Sequence, residues 1–208
     1  MSDSLITKNA IAASIKELMQ KKPLQKISVA DIMEKSKINR QTFYYHFKDK
    51  YDLVDWIYYN EVVAALTQHP TFKEWDEVVF EVLNTMKKEQ YFYTNALSVT
   101  GQNAFQDYFF SVTKGLLEEL IGVYSEGDIN YVDKDFIADF YSFGLVGIVI
   151  QWARGGMKQP PEEIVMRLKH FINDSQHNAT FRYMKEHEEM LLDAPVFKSD
   201  LNVKYPGK

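Results

Sequence analysis

The sequence predicts an all-α fold, with an N-terminal three-helix head carrying a helix-turn-helix and a larger C-terminal helical body. Three observations predict it. Two capped helix starts, at Ser28 and Asn39, lie eleven residues apart. Apolar residues recur at helical spacing along most of the remaining chain. Alternating strand patterns and hairpin dipeptides such as Asn-Gly are missing. The organisation expected is a head over residues 1–52, a body over 53–192 and a polar, mobile tail over 193–208.

In the head, Ile11, Ile15, Leu18 and Met19 share one face of a first helix over Thr7 to Gln20, which Pro23 keeps from extending. Ser28 then offers an N-cap hydroxyl, and Asp31 at the third helical position reaches back to the Ser28 N–H as a capping box. Ile27 and Ile32 flank that start as a hydrophobic staple, and the same grammar repeats with Asn39 as cap, Ile38 before it and Phe43 four positions on. Between the two helices, Glu34 to Lys37 must turn the chain in about three or four residues. Glycine, the usual turn residue, is absent there, so Ser36 and Lys37 have to supply the geometry. Val29, Ile32, Met33, Ile38, Phe43 and Phe47 form the expected inner face, leaving Arg40, Gln41, Thr42, Tyr44, Tyr45 and His46 mostly outward. One of the two tyrosines is expected to be partly buried. A fourth helix starts near Asp49, with Asp49 and Asp52 at its positive end, and runs toward Leu66 until His69-Pro70-Thr71 breaks it.

The body reads as helices over about 73–89, 91–99, 101–125, 134–155 and 161–176, with a further helix from Phe181 to Leu192. Loop signals stand at Ser125 to Asp128 and from Gly155-Gly156 to Pro160-Pro161, where glycine closes one helix and Pro161 with Glu162 and Glu163 opens the next. The most apolar stretch, Phe136 to Ala153, contains Asp139 and two glycines and is too short and interrupted to be read as a membrane span.

Composition narrows the chemistry. The 208 residues include no cysteine, which excludes disulfides, thiolate metal sites and cysteine nucleophiles. Met1-Ser-Asp-Ser4 lacks the pattern of a secretory signal, so a cytoplasmic protein is expected. No nucleophile elbow, phosphate loop, His-Glu-x-x-His or dinucleotide fingerprint occurs, so the reading is not an enzyme and needs no cofactor. The net charge of −5 divides unevenly: residues 1–50 hold ten Lys/Arg against five Asp/Glu, or +5, leaving −10 for the rest. A basic head suited to phosphates joined to an acidic body fits that asymmetry, although solvated charged faces alone would also produce it.

The run Gln41-Thr-Phe-Tyr-Tyr-His-Phe-Lys-Asp-Lys50, followed by Asp52-Leu53, resembles the recognition helix of the tetracycline-repressor (TetR) family of bacterial regulators. The resemblance covers residues 7–55, roughly a quarter of the chain. It implies a three-helix DNA-binding head, a helical ligand-binding and dimerisation body, and a two-fold homodimer on double-stranded operator DNA. A weaker resemblance, carried by Gly144-Leu-Val-Gly-Ile-Val-Ile-Gln-Trp-Ala-Arg-Gly-Gly-Met157 and Pro161-Glu-Glu-Ile164, is to the dihydroxyacetone-kinase-operon regulators of that family.

Several side chains have readable chemistry. Arg40 can donate two bonds to guanine and Gln41 can pair with adenine. By match to the family motif, Thr42 and Tyr44 sit where base or methyl contacts are common, while Tyr45, His46 and Lys50 sit at phosphate-facing places. A half-buried imidazole is the alternative for His46. Ser28 and Val29 would present helix N-terminal N–H groups to a phosphate. Lys37 and Lys48 add electrostatic contacts, unless they are simply solvated.

The body's signal is less legible. Tyr93, Phe105, Phe109, Tyr141 and Trp152 would line a cavity for an apolar or aromatic effector, or else fill an aromatic core. Asp139 and Arg154 are ionisable groups on an otherwise apolar helix. Following the family's pairing of its last two helices across the two-fold axis, Gly144, Gly147, Ile148, Ile164, Leu168 and Phe171 are expected at a dimer interface; an ordinary intramolecular core is the alternative. No metal site is assigned, although His170, His177 and His187 keep metal sensing open as a narrower reading. The subgroup resemblance adds activation through a kinase-like coactivator protein. A helical protein-interaction adaptor is the reading of a different class.

Overall fold

The computed structural model describes residues 3–64, 75–101, 104–124 and 131–186. Among them the regular elements are helical, as the periodicity predicts. The break at 69–71, the loop at 125–128 and the tail at 193–208 lie outside the described residues. By internal contacts the chain divides into residues 1–162 and 163–208.

The first unit begins with α1 (Asp3–Met19). It starts four residues before the expected Thr7 because Ser4 and the exposed Ile6 continue the helix without packing, so apolar spacing marked only the packed part. Ile11, Ile15 and Met19 are buried as expected. Past Pro23 a single 3-10 turn (Leu24–Lys26), unforeseen in the sequence, buries Leu24 and delivers the chain to Ser28.

Three short helices follow: α2 (Val29–Ser36), α3 (Arg40–His46) and α4 (Lys50–Tyr58), the last running on as a π-helical turn over Tyr59–Val63. Residues 52 and 53 lie inside α4, so the head passes into the body along a continuous helix. Lys35 pairs with Glu17 at 2.6 Å, tying α2 to α1, and Lys22, just past α1, pairs with Asp31 of α2 at 3.1 Å.

The body comprises α5 (Trp75–Lys88), α6 (Gln90–Leu97), α7 (Phe105–Tyr124) and α8 (Tyr131–Arg154). The α7–α8 pair is the most extensive helix packing in the unit. Across it, Lys114 holds both Asp135 and Asp139 at 2.7 Å, which gives the unexpected acid on an apolar helix a partner; Arg154 is exposed. By length and composition Lys134–Arg154 would pass for a membrane span. One side of it, including Ala138, Ser142, Val146 and Val149, is already buried.

An aromatic core joins α4, α6 and α7. Tyr58 is fully buried, with the rings of Tyr93, Phe105, Tyr108 and Phe109 edge-on at 5.3–6.4 Å. Such pairs add about 0.5–1.5 kcal/mol each to plain burial.

At the end of α8, Gly156 takes φ +75°, its N–H donates to Ala153 O and the Met157 N–H donates to Trp152 O at 2.8 Å. This is the Schellman closure that the Gly155-Gly156 pair predicts. In the second unit, the helix α9 (Pro161–Glu186) continues without the gap expected between 176 and 181. No Gly or Pro interrupts residues 162–186, so nothing local stops the helix.

Candidate DNA-reading face

The geometry of the head follows from its caps. Ser28 Oγ accepts from Asp31 N at 3.1 Å, and Asp31 Oδ2 accepts from Ser28 N at 2.7 Å, completing the capping box. Hydrogen bonds from Ser28, first its backbone N–H and then its hydroxyl, together with Lys22 hold the Asp31 carboxyl down at about 2. The amide of Ser28 is therefore committed to Asp31 and is not the free N–H expected to meet a phosphate; Val29, beside it, is half-buried.

The turn after α2 closes on Lys37, whose φ of 57° and ψ of 28° place it in the left-handed region. The residue without a glycine alternative thus takes the glycine conformation. In a lysine that costs about 1–2 kcal/mol, and the buried Ile32, Met33 and Phe43 on either side hold it there.

Asn39 Oδ1 accepts from Thr42 N at 2.8 Å and from Thr42 Oγ1 at 3.0 Å, fixing the first turn of α3. Phe43 and Phe47 then face inward and are buried. Because they occupy the i and i+4 positions, the residues between them are rotated outward. Arg40 and Gln41 are exposed. Tyr44 is 47% exposed and Tyr45 82% exposed, so both side chains are exposed where one was expected to be partly buried. Tyr44 is the less exposed, lying edge-on to Phe43 at 5.4 Å. Arg40 Nη2 donates to Tyr44 Oη at 3.2 Å with the guanidinium 5.4 Å from the ring, so the two side chains form one exposed unit. His46 is half-buried against Tyr45 and Phe47. Lys37 and Lys48 flank the surface and are exposed.

Lys50 has a different environment from its neighbours. Its ammonium donates to Leu24 O at 2.7 Å, Gln25 O at 3.0 Å and Ile27 O at 2.7 Å. Burial, the largest influence, lowers its pKa. All three donors of the ammonium have backbone partners, so Lys50 fastens α4 to the 3-10 turn. At the start of α4, Asp49 Oδ1 accepts from Tyr51 N and Asp52 N at 2.7 and 2.9 Å.

The residues expected around an effector separate into different settings. Tyr93, Phe105 and Phe109 are buried together around Tyr58. Trp152 is buried at the end of α8 with its indole N–H on Gln159 O at 2.9 Å, and Tyr141 lies edge-on to Phe140. Of the residues expected at a dimer interface, Gly144, Gly147 and Ile148 are exposed on α8, and a Cβ added at either glycine would meet nothing within 4 Å. On α9, Ile164 is buried, Leu168 half-buried and Phe171 exposed. The side chains of His177 and His187 are not among those described.

Sequence reasoning missed Asn95. From α6 its Oδ1 accepts from Leu24 N at 2.7 Å, and its Nδ2 donates to Met19 O and Lys22 O at 3.0 Å each. It also missed Asp55, whose carboxyl is pushed up to about 7 by burial and then by Asp52 and Asp49. A single polar residue within a helix gave no signal for either.

A capped helix-turn-helix that exposes hydrogen-bonding and basic side chains over a buried aromatic pair, joined to a helical body, defines a DNA-binding transcriptional regulator. The family model described as bacterial regulatory proteins, tetR family, matches residues 11–57, and one described as a transcriptional regulator C-terminal region matches residues 73–174. The chain is 30% identical over 151 residues to the HTH-type dhaKLM operon transcriptional activator DhaS of Lactococcus lactis subsp. lactis (strain IL1403), covering 71% of this chain and 80% of that one. It belongs to the tetR family. Among solved structures, the dihydroxyacetone kinase operon activator DhaS aligns with a TM-score of 0.65 at 24% identity, over 82% of this chain and 96% of that one. NalD, the secondary repressor of the MexAB-OprM multidrug efflux pump in Pseudomonas aeruginosa, aligns at 0.57 with 17% identity, over 80% of this chain and 94% of its own. At those identities the two structures establish the fold alone.

Proposed function

We propose that this regulator works in the cytoplasm as a homodimer, with α3 of each protomer in the major groove of an operator half-site. The exposed set on α3 carries the reading. Arg40, Gln41, Thr42 and Tyr44 take the base edges, and Tyr45, His46, Lys37 and the N-terminus of α2 at Val29 take the flanking phosphates. Lys50 supports the head from behind through its three carbonyl partners. Two heads about 34 Å apart would meet successive major grooves.

Self-association is supported by α8. Phe136, Phe140 and Phe143 are 70%, 60% and 69% exposed, and Gly144, Gly147 and Ile148 continue the same side of the helix. An apolar strip of that kind marks a contact surface. With the opposite side of α8 buried and the head built for DNA, we read the strip as the contact with a second copy rather than with lipid. Leu168 and Phe171 of α9 are proposed for the interface on the family pattern, whereas Ile164, expected with them, is already buried within the chain.

The body then receives a small effector or a coactivator protein. The close packing of Tyr93, Phe105 and Phe109 edge-on around the buried Tyr58 favours a protein partner. Sedimentation equilibrium of Phe140→Glu tests the dimer: a shift to monomer is expected, and an unchanged dimer refutes the α8 contact. Selection of duplexes from random-sequence DNA by the wild-type protein tests the reading face. Recovery of no preferred sequence, with or without cell extract, overturns operator recognition.

A further inference from the structure

We infer that α6 is a strut tying the turn at the end of α8 to the DNA-reading head, with Asn95 as the positioning residue at the head end. At the near end of the strut, Lys87 in the last turn of α5 donates to Met157 O, and Gln90, the first residue of α6, donates from Nε2 to Gly156 O at 3.1 Å. Both carbonyls belong to the left-handed turn that closes α8. Five residues on, about 8 Å along the axis at the rise of an α-helix, Asn95 makes its three hydrogen bonds to Met19, Lys22 and Leu24. Those bonds satisfy the Met19 carbonyl left open at the end of α1, the Lys22 carbonyl in the turn after it, and the first N–H of the 3-10 turn.

The segment gripped by Asn95 leads directly into the capped start of α2. Lys50 holds the same turn from the other side through Leu24 O, Gln25 O and Ile27 O. The turn is therefore fastened to the body through Asn95 and to α4 through Lys50. Between its two hydrogen-bonded ends, α6 is a short helix with Phe92, Tyr93, Ala96 and Leu97 buried. Such an element transmits a displacement as a rigid piece, because a close-packed interior deforms little. A shift of the α8 turn is then delivered to the base of the head. In this arrangement the packing of α8 and the placement of α3 are linked properties.

The inference rests on the head reading DNA, and hydrogen exchange tests it without DNA. The Leu24 N–H, which donates to Asn95 Oδ1, reports the head end; Gln90→Ala removes the hydrogen bond to Gly156 O at the other end. In the full-length protein, Gln90→Ala is expected to speed Leu24 N–H exchange by about threefold to tenfold, and Asn95→Ala more. On a duplex selected by the wild-type protein, Asn95→Ala should bind about tenfold more weakly with binding to bulk genomic DNA unchanged, and the double variant should bind no more weakly than Asn95→Ala alone. Leu24 exchange at the wild-type rate in Gln90→Ala would overturn the strut, as would losses in affinity that multiply independently. Should Asn95→Ala not fold, the Gln90→Ala exchange measurement decides alone. If the wild-type protein selects no duplex, operator reading fails, while the exchange comparison still tests the strut.

Discussion

Replacing Lys50 with methionine separates a phosphate contact from a structural one. The methionine keeps most of the apolar stem and removes the ammonium, which donates to Leu24 O and Ile27 O at 2.7 Å and to Gln25 O at 3.0 Å. The bond to Gln25 is exposed, and water replaces it at little cost. The other two reach partly buried carbonyls, each worth about 1 kcal/mol net when lost. The expected destabilisation is therefore about 2 kcal/mol, a fall in melting temperature of roughly 4–8 °C for a chain of this length. Calorimetry or denaturant titration reads it directly. DNA binding by the folded variant should keep its salt dependence, because no phosphate contact has been removed. An unchanged melting temperature together with a salt slope reduced by about one would refute this assignment and restore Lys50 to the phosphate contacts.

Arg40→Ala should cost about 1–3 kcal/mol of operator affinity and relax preference at one base pair, read by titrating duplexes varied singly at each position; unchanged selectivity removes Arg40 from the base contacts. At Lys37, glycine should change stability by no more than about 0.5 kcal/mol, since relief of the left-handed strain is offset by the freer unfolded chain, whereas valine should cost about 2 kcal/mol. Equal denaturation midpoints for the two variants would contradict the left-handed conformation. Asp55 titrates near 7 in the fold against an ordinary 3.8. The folded state therefore holds a proton that the unfolded chain has released, and stability falls as pH rises from about 4 to about 7. After discounting for partial exposure, Asp55→Asn should stabilise the protein by about 1–2 kcal/mol at pH 8 and by little at pH 4; a gain independent of pH excludes the titration.

What the sequence determined was local. Ser28 with Asp31, Asn39 and Asp49 each lie within three residues of the N–H groups they cap, so the helix starts of the head were legible from spacing. The Gly155-Gly156 closure was legible for the same reason, and so was the identity of the outward side chains on α3. The continuity of α9 through 176–181 was not legible: helices over 161–176 and from Phe181 were expected, yet no Gly or Pro stands between them.

Tertiary structure decided what those local elements are fastened to. Lys50 carries the same charge and motif position whether it meets a phosphate or three carbonyls. The carbonyl partners come from the approach of the 3-10 turn, more than twenty residues away. Asn95 is an unremarked amide until folding brings it to Met19, Lys22 and Leu24, more than seventy residues earlier. The aromatic residues of α6 and α7 were visible as a group, yet their closure around Tyr58 depended on α4 arriving between them. Caps and helical faces follow from neighbours in the chain, whereas a side chain's partner across the fold follows from how whole helices pack, which spacing along the chain does not encode.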